Sequence, residues 1–135
     1  MNTLYAPFEN RRWLLVDDNP ELLAMMALSA GKLTDAEIEY HHDPLAALGA
    51  FLAAPERYEL VITDFEMPHM DGIKFCHRLR GIAPSQKVIL ATGSGFFTEA
   101  AAQDAGFCAL LHKPFHLAEM HEALANAGLA EAVCA

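Results

Sequence analysis

Four nearly unbroken apolar runs and one alternating run, each followed by a stretch of helical spacing, constrain this chain more than any other feature. The unbroken runs are the segments at 13–16, 58–63, 87–92 and 107–112, "WLLV", "YELVIT", "KVILAT" and "FCALLH". The fifth, "AEIEYHH" at 36–42, alternates Ile38 and Tyr40 with polar neighbours, as a strand near a sheet edge does. Hairpin-linked strands with one wet face would alternate throughout, so runs this apolar are expected to lie buried on both faces of a parallel sheet. The expected fold is α/β: a doubly wound five-stranded parallel sheet with helices on both faces, a three-layer sandwich.

The intervening segments carry helix signals. Asn19 suits the cap of a first helix with Pro20 in its first turn, and Leu22, Met25, Met26 and Ser29 recur at helical spacing, with Met25 and Met26 read as core. Asp43 and Pro44 open a second helix that Pro55 stops. Asp71 caps a third, with Ile73, Cys76 or His77, and Leu79 or Arg80 facing in and Gly81 closing it. A short fourth follows Gly93 and Gly95, and a fifth turns Leu117, Met120 and Leu124 inward.

A chain of 135 residues has the size of one domain that buries a core without disulfides. We place that domain at 11–130, between a lead at 1–10 and a tail at 131–135, and no output domain is visible. With 53% hydrophobic and 20% charged residues the composition is globular. The net charge of −9, with nine scattered Lys and Arg, argues against direct contact with nucleic acid. The apolar stretch at 22–30 is broken by Ser29 and too short to span a membrane, and residues 1–10 lack the layout of a secretion signal. Three widely spaced cysteines, Cys76, Cys108 and Cys134, suggest neither a disulfide framework nor a zinc knuckle. A cytoplasmic location is expected.

In doubly wound sheets, ligands bind beyond the carboxyl ends of the strands. The residues there are Asp17, Asp18, Asp64, Thr92 and Lys113. Like-charged carboxylates about 4 Å apart cost on the order of 4 kcal/mol per pair at an effective dielectric near 20, so a cation is needed among them. Oxygen ligands with room for water suit Mg²⁺, and Lys113 adds a fixed positive charge. Such a site lets a carboxylate attack a phosphoryl group. Asp64 stands alone at a strand end and is the candidate nucleophile, Asp17 and Asp18 share the cation, and Thr92 offers a hydroxyl to a phosphoryl oxygen.

The motifs "LLVDDN", "VITDFEMPHMDG", "VILATG" and "LLHKPF", in this order over nearly the whole chain, resemble the receiver domain of two-component response regulators, a (βα)5 flavodoxin-like fold. The resemblance implies that Asp64 accepts phosphate from a histidine kinase or histidine phosphotransfer protein. It implies that Asp17 and Asp18 hold Mg²⁺ with Asp64 and the backbone carbonyl of Glu66, and that Lys113 contacts the phosphoryl group. Thr92 becomes the switch hydroxyl and the Lys113–Pro114 bond is expected to be cis. Glu66 and Ser94 occupy positions that tune dephosphorylation.

The family relays its signal to an unidentified downstream protein through the fourth helix, fifth strand and fifth helix, here including Phe96, Phe97, Leu110 and His116. Leu110 stands where many receivers carry an aromatic residue. At least one of the adjacent Phe96 and Phe97 is expected on a partner or homodimer surface.

Other readings attach to the same residues. "DDNP" alone would read as helix capping, Thr92 as a satisfied strand-end hydroxyl, and the seven histidines as surface residues without a metal-ligand pair. A Mg²⁺-dependent aspartyl phosphohydrolase would use the same carboxylates and lysine, but an enzyme resembling the haloacid dehalogenases carries DxD after strand 1, where this chain has Asp17-Asp18-Asn19. A degenerate receiver serving as a structural or dimerising module would have lost part of the acid set. The expectation is a signalling switch, not an enzyme acting on other molecules.

Overall fold

The computed structural model describes residues 11–129 apart from Ser94, Phe96 and Pro114, so the expectations for Ser94, Phe96 and the Lys113–Pro114 bond lie outside the described residues. Five strand–helix pairs follow in order: β1 (Arg12–Val16), α1 (Pro20–Leu33), β2 (Glu37–His41), α2 (Pro44–Ala53), β3 (Tyr58–Thr63), α3 (Gly72–Ile82), β4 (Val88–Thr92), α4 (Glu99–Asp104), β5 (Ala109–His112) and α5 (Leu117–Asn126). All strand pairs are parallel, in the order β2-β1-β3-β4-β5. The alternating run is the edge strand β2, and the apolar runs β1, β3 and β4 are interior.

Two cores flank the sheet, and β1 divides its side chains between them. Trp13 and Leu15 join Leu23, Met26, Met120 and Leu124 beneath α1 and α5. Leu14 and Val16 join Phe51, Phe75, Leu79 and Leu90 beneath α2, α3 and α4. The period of two in a strand produces this division, and it makes the fold three layers. The indole of Trp13 is fully buried, and its N–H donates to Glu59 Oε1 at 2.8 Å.

Capping follows the sequence. Asn19 accepts from the backbone N–H groups of Glu21 and Leu22, Asp43 from Leu45, and Asp71 from Lys74. The inward face of α1 differs from expectation: Leu23, Met26, Ala30 and Leu33 are buried, whereas Met25 is 59% exposed. Alanines on both sides of the helix left several apolar stripes of equal period, and the sheet selected the one rotated by one residue. α3 runs through Gly81 to Ile82 and ends ahead of Pro84, with Phe75, Cys76 and Leu79 buried and Ile73 only partly so. Leu117 is half-exposed at the start of α5, where Met120, Ala123 and Leu124 form the buried stripe.

Candidate functional site

Asp17, Asp64 and Lys113 stand one residue past a strand end, Asp18 two, and Thr92 is the last residue of β4; beyond the strands the backbone continues the ladder far enough to hold them. The Asp17 N–H donates to His41 O at 3.2 Å, the Asp64 N–H to Val16 O at 2.9 Å, and the Lys113 N–H to Thr92 O at 2.8 Å. The order β2-β1-β3-β4-β5 therefore brings the ends of β1, β3, β4 and β5 to one rim, at the point where strand order reverses.

Carboxylate oxygens of Asp17, Asp18 and Asp64 lie within 4.8 Å of one another. Asp17 is fully buried and Asp64 is 8% exposed, while Asp18 is open to solvent. Lys113 Nζ donates to Asp17 Oδ2 at 2.6 Å and to Asp64 Oδ1 at 3.1 Å. Asp17 Oδ1 accepts from the Asn19 N–H at 2.9 Å, which fixes the carboxylate plane. Thr92 is buried beside the same cleft of about 710 Å³, which also takes in Glu66 and Gly93. The structure thus brings Asp17, Asp18, Asp64, Glu66, Thr92 and Lys113 together.

The electrostatics follow from burial. Desolvation, then repulsion from Asp17, raises the pKa of Asp64 above the ordinary carboxylate range despite the opposing pull of Lys113. For Lys113, burial acts to lower the pKa, but its bonds and charge attraction to Asp17 and Asp64 outweigh it and the net direction is upward. Three carboxylates against one ammonium leave two negative charges in a half-enclosed cleft. That imbalance, with oxygen donors alone, fits a divalent hard cation such as Mg²⁺.

Two supports of Asp64 were not singled out in the sequence as parts of the site. The Thr63 hydroxyl donates to Asp64 O at 2.9 Å. The Gly72 N–H donates to Phe65 O at 2.7 Å, so the β3–α3 loop folds back on the strand end. A Cβ at position 72 would stand 2.4 Å from Asp64 O, and only glycine permits that approach. The reading of Asp71 as the cap of α3 placed Gly72 at the head of that helix without marking its close approach, and nothing in the sequence marked Thr63.

The residues expected on a relay surface are dispersed. His116 is exposed at the head of α5, Leu110 is buried in the α2–α4 core, and Phe97 is half-buried. Phe97 meets Phe65, the residue after Asp64, edge to face with centroids 4.9 Å apart. Phe97 therefore touches the β3–α3 loop that follows Asp64.

The response regulator receiver domain family model matches residues 13–125. The chain belongs to this family. It is 31% identical over 115 residues to the transcriptional regulatory protein GlrR of Escherichia coli K12, covering 84% of this chain and 25% of that protein. It is also 31% identical over 110 residues to the response regulator MprA of Mycobacterium tuberculosis, covering 81% of this chain and 46% of MprA. The receiver thus spans a quarter to just under half of these relatives. Among solved structures, a receiver domain protein from Clostridium thermocellum superposes with a TM-score of 0.77 at 24% identity, over 87% of this chain and 93% of that one. The response regulator TrrA of Thermotoga maritima, solved in complex with Mg²⁺-BeF, gives 0.75 at 26%, over 87% and 98%. Phosphorylation-dependent two-component signalling is the context of this family. Among the described residues, no helix is long and apolar enough to cross a membrane.

Proposed function

We propose that this receiver is a phosphorylation switch whose acceptor is Asp64. The supporting observation is the pairing of that buried carboxylate with Lys113 at 3.1 Å, beside Asp17 and Asp18 at the carboxyl edge of the sheet. A phosphohistidine of a kinase or phosphotransfer protein supplies the phosphoryl group. Its N–P bond breaks as a bond forms from an Asp64 carboxylate oxygen to phosphorus, and the imidazole leaves with its electron pair. Lys113 stays protonated and meets the charge on the phosphoryl oxygens, and the Thr92 hydroxyl donates to one of them. Asp17, Asp18, Asp64 and the Glu66 carbonyl are the residues that would hold Mg²⁺, which when bound neutralises phosphoryl charge. Hydrolysis returns the carboxylate and releases inorganic phosphate, at a rate tuned by Glu66 and Ser94.

The acidic, nucleic-acid-averse surface fits a relay through protein contacts, for which Phe97 and His116 remain candidates with Phe96 and the buried Leu110, in the cytoplasm. Downstream contact is made with another protein or a second copy. Acetyl phosphate with Mg²⁺ tests the reading: mass spectrometry should find a hydroxylamine-labile phosphoryl adduct on Asp64, absent from Asp64→Asn. An unmodified wild type, or an adduct that persists in Asp64→Asn, would reject the assignment.

A further inference from the structure

We propose that the outer face of α2 and α3 is a docking surface for an acidic amphipathic helix of a partner protein. This surface is separate from the carboxyl-edge cleft and rests on nothing assigned there. α2, "PLAALGAFLA", has no charged or hydrogen-bonding side chain anywhere along its length. A surface helix ordinarily presents a polar outer face. Here the outer face carries Leu45, 46% exposed, and Leu52, 54% exposed, with open space above Gly49 between them.

Helix geometry aims these leucines at α3. Both helices pack on the same side of the sheet and against each other, and each returns antiparallel to the strands, so their side chains advance around the axis in the same sense. On α3, Arg80 lies about 100° past the buried stripe of Phe75, Cys76 and Leu79. It reaches toward β5, donating to Gly106 O and contacting Cys108 Sγ. The corresponding flank of α2, past Ala47, Leu48 and Phe51, holds Leu45 and Leu52, which therefore lean toward α3. The opposite flank of α3, leaning toward α2, holds Arg78 and the 38%-exposed Ile82, with Lys74 on the outer side.

Charge selects the partner. α3 contains three of the chain's nine Lys and Arg and no Asp or Glu, in a protein of net charge −9. Among the described residues, Lys74 and Arg78 form no ion pair. An apolar strip edged by free cations matches a helix with apolar anchors at i, i+3 or i+4, and i+7 and carboxylates along one border. A second copy matches poorly, because a two-fold contact would set basic α3 against itself with no acid on α2 to meet it.

The test uses the full chain and a fluorescein-labelled synthetic peptide with leucines at those spacings and flanking glutamates, read by anisotropy. Saturable binding is expected for wild type. Affinity should fall about tenfold for Leu52→Lys and for Arg78→Glu. It should also fall as salt rises, and when the peptide glutamates become lysines. Circular dichroism checks folding, and Leu45→Gln replaces Leu52→Lys should that variant unfold. Absence of saturable binding, or equal affinity across the variants, overturns the proposal. So does self-association in sedimentation that Leu52→Lys abolishes, which would assign the face to a second copy.

Discussion

Asp64 sits where a carboxylate is hard to keep ionised: half-enclosed, beside the buried Asp17, with the single ammonium of Lys113 shared between the two. Its raised pKa means that the folded protein holds the Asp64 proton to a higher pH than the unfolded chain does. Between the two values the folded state binds more protons, so stability declines as pH rises through that window, and the full penalty stands above it. Asp64→Asn should therefore be more stable than wild type at neutral pH without divalent cation. The advantage should vanish as pH falls below about 4, where the unfolded aspartate is also protonated. Urea unfolding at several pH values measures this, and a pH-independent difference would contradict it. Gly72 is the other residue under tight constraint. Gly72→Ala places a methyl 2.4 Å from Asp64 O, and relief of that overlap should cost about 1–3 kcal/mol and displace Asp64. The expected result is a lower urea midpoint together with weaker beryllofluoride binding in Mg²⁺; a midpoint matching wild type would show that the loop opens freely.

Among the elements, the β4–α4 connection touches the loop that follows Asp64 through a side-chain contact. α4 is only six residues long, capped by Thr98, and the connection leading to it carries Gly93 and Gly95, with open space at both. The ring of Phe97 makes the one aromatic contact between this connection and the β3–α3 loop among the described residues. Edge-to-face pairs contribute roughly 0.5–1.5 kcal/mol beyond their buried area. A double-mutant cycle of Phe65→Ala and Phe97→Ala should show coupling of that size in urea unfolding, and additive effects would show the rings to be independent. This contact was not legible in the sequence, because Phe65 and Phe97 are far apart in the chain and no periodicity links two loop residues. Among the described residues, the existence, type and order of the five strands and five α-helices were legible, since buried parallel strands leave long apolar runs, whereas the 3-10 turn at Pro55–Arg57 was read only as a stop. Facial detail was not: α1 could turn several alanine-rich stripes inward, and the sheet took Leu23, Met26 and Ala30.

For the whole molecule, a single topology makes both the fold and the site. The apolar runs specify a parallel sheet, and the sheet carries its strand ends to one rim, so the five residues that meet there, Asp17, Asp18, Asp64, Thr92 and Lys113, could be named from the sequence. Their supports could not, because the Thr63 hydroxyl bond and the close approach that only a glycine at 72 permits both depend on the path of the β3–α3 loop. The same rim concentrates negative charge in a chain already at −9, so the folded state should be linked to divalent cation. The unfolded chain disperses Asp17, Asp18 and Asp64 and loses the site. Binding to the folded state alone adds RT ln(1 + [L]/Kd), about 1.4 kcal/mol for each tenfold rise in Mg²⁺ beyond saturation. The thermal midpoint should climb with log[Mg²⁺] at constant ionic strength and fall back on EDTA addition. Asp17→Asn and Asp64→Asn should flatten that slope, whereas Asp71→Asn, which alters only the cap of α3, should keep it. Calorimetry across a Mg²⁺ series at fixed salt gives the slope. Equal slopes in all four proteins would place cation binding elsewhere on the acidic surface and leave the carboxyl-edge cleft without its metal.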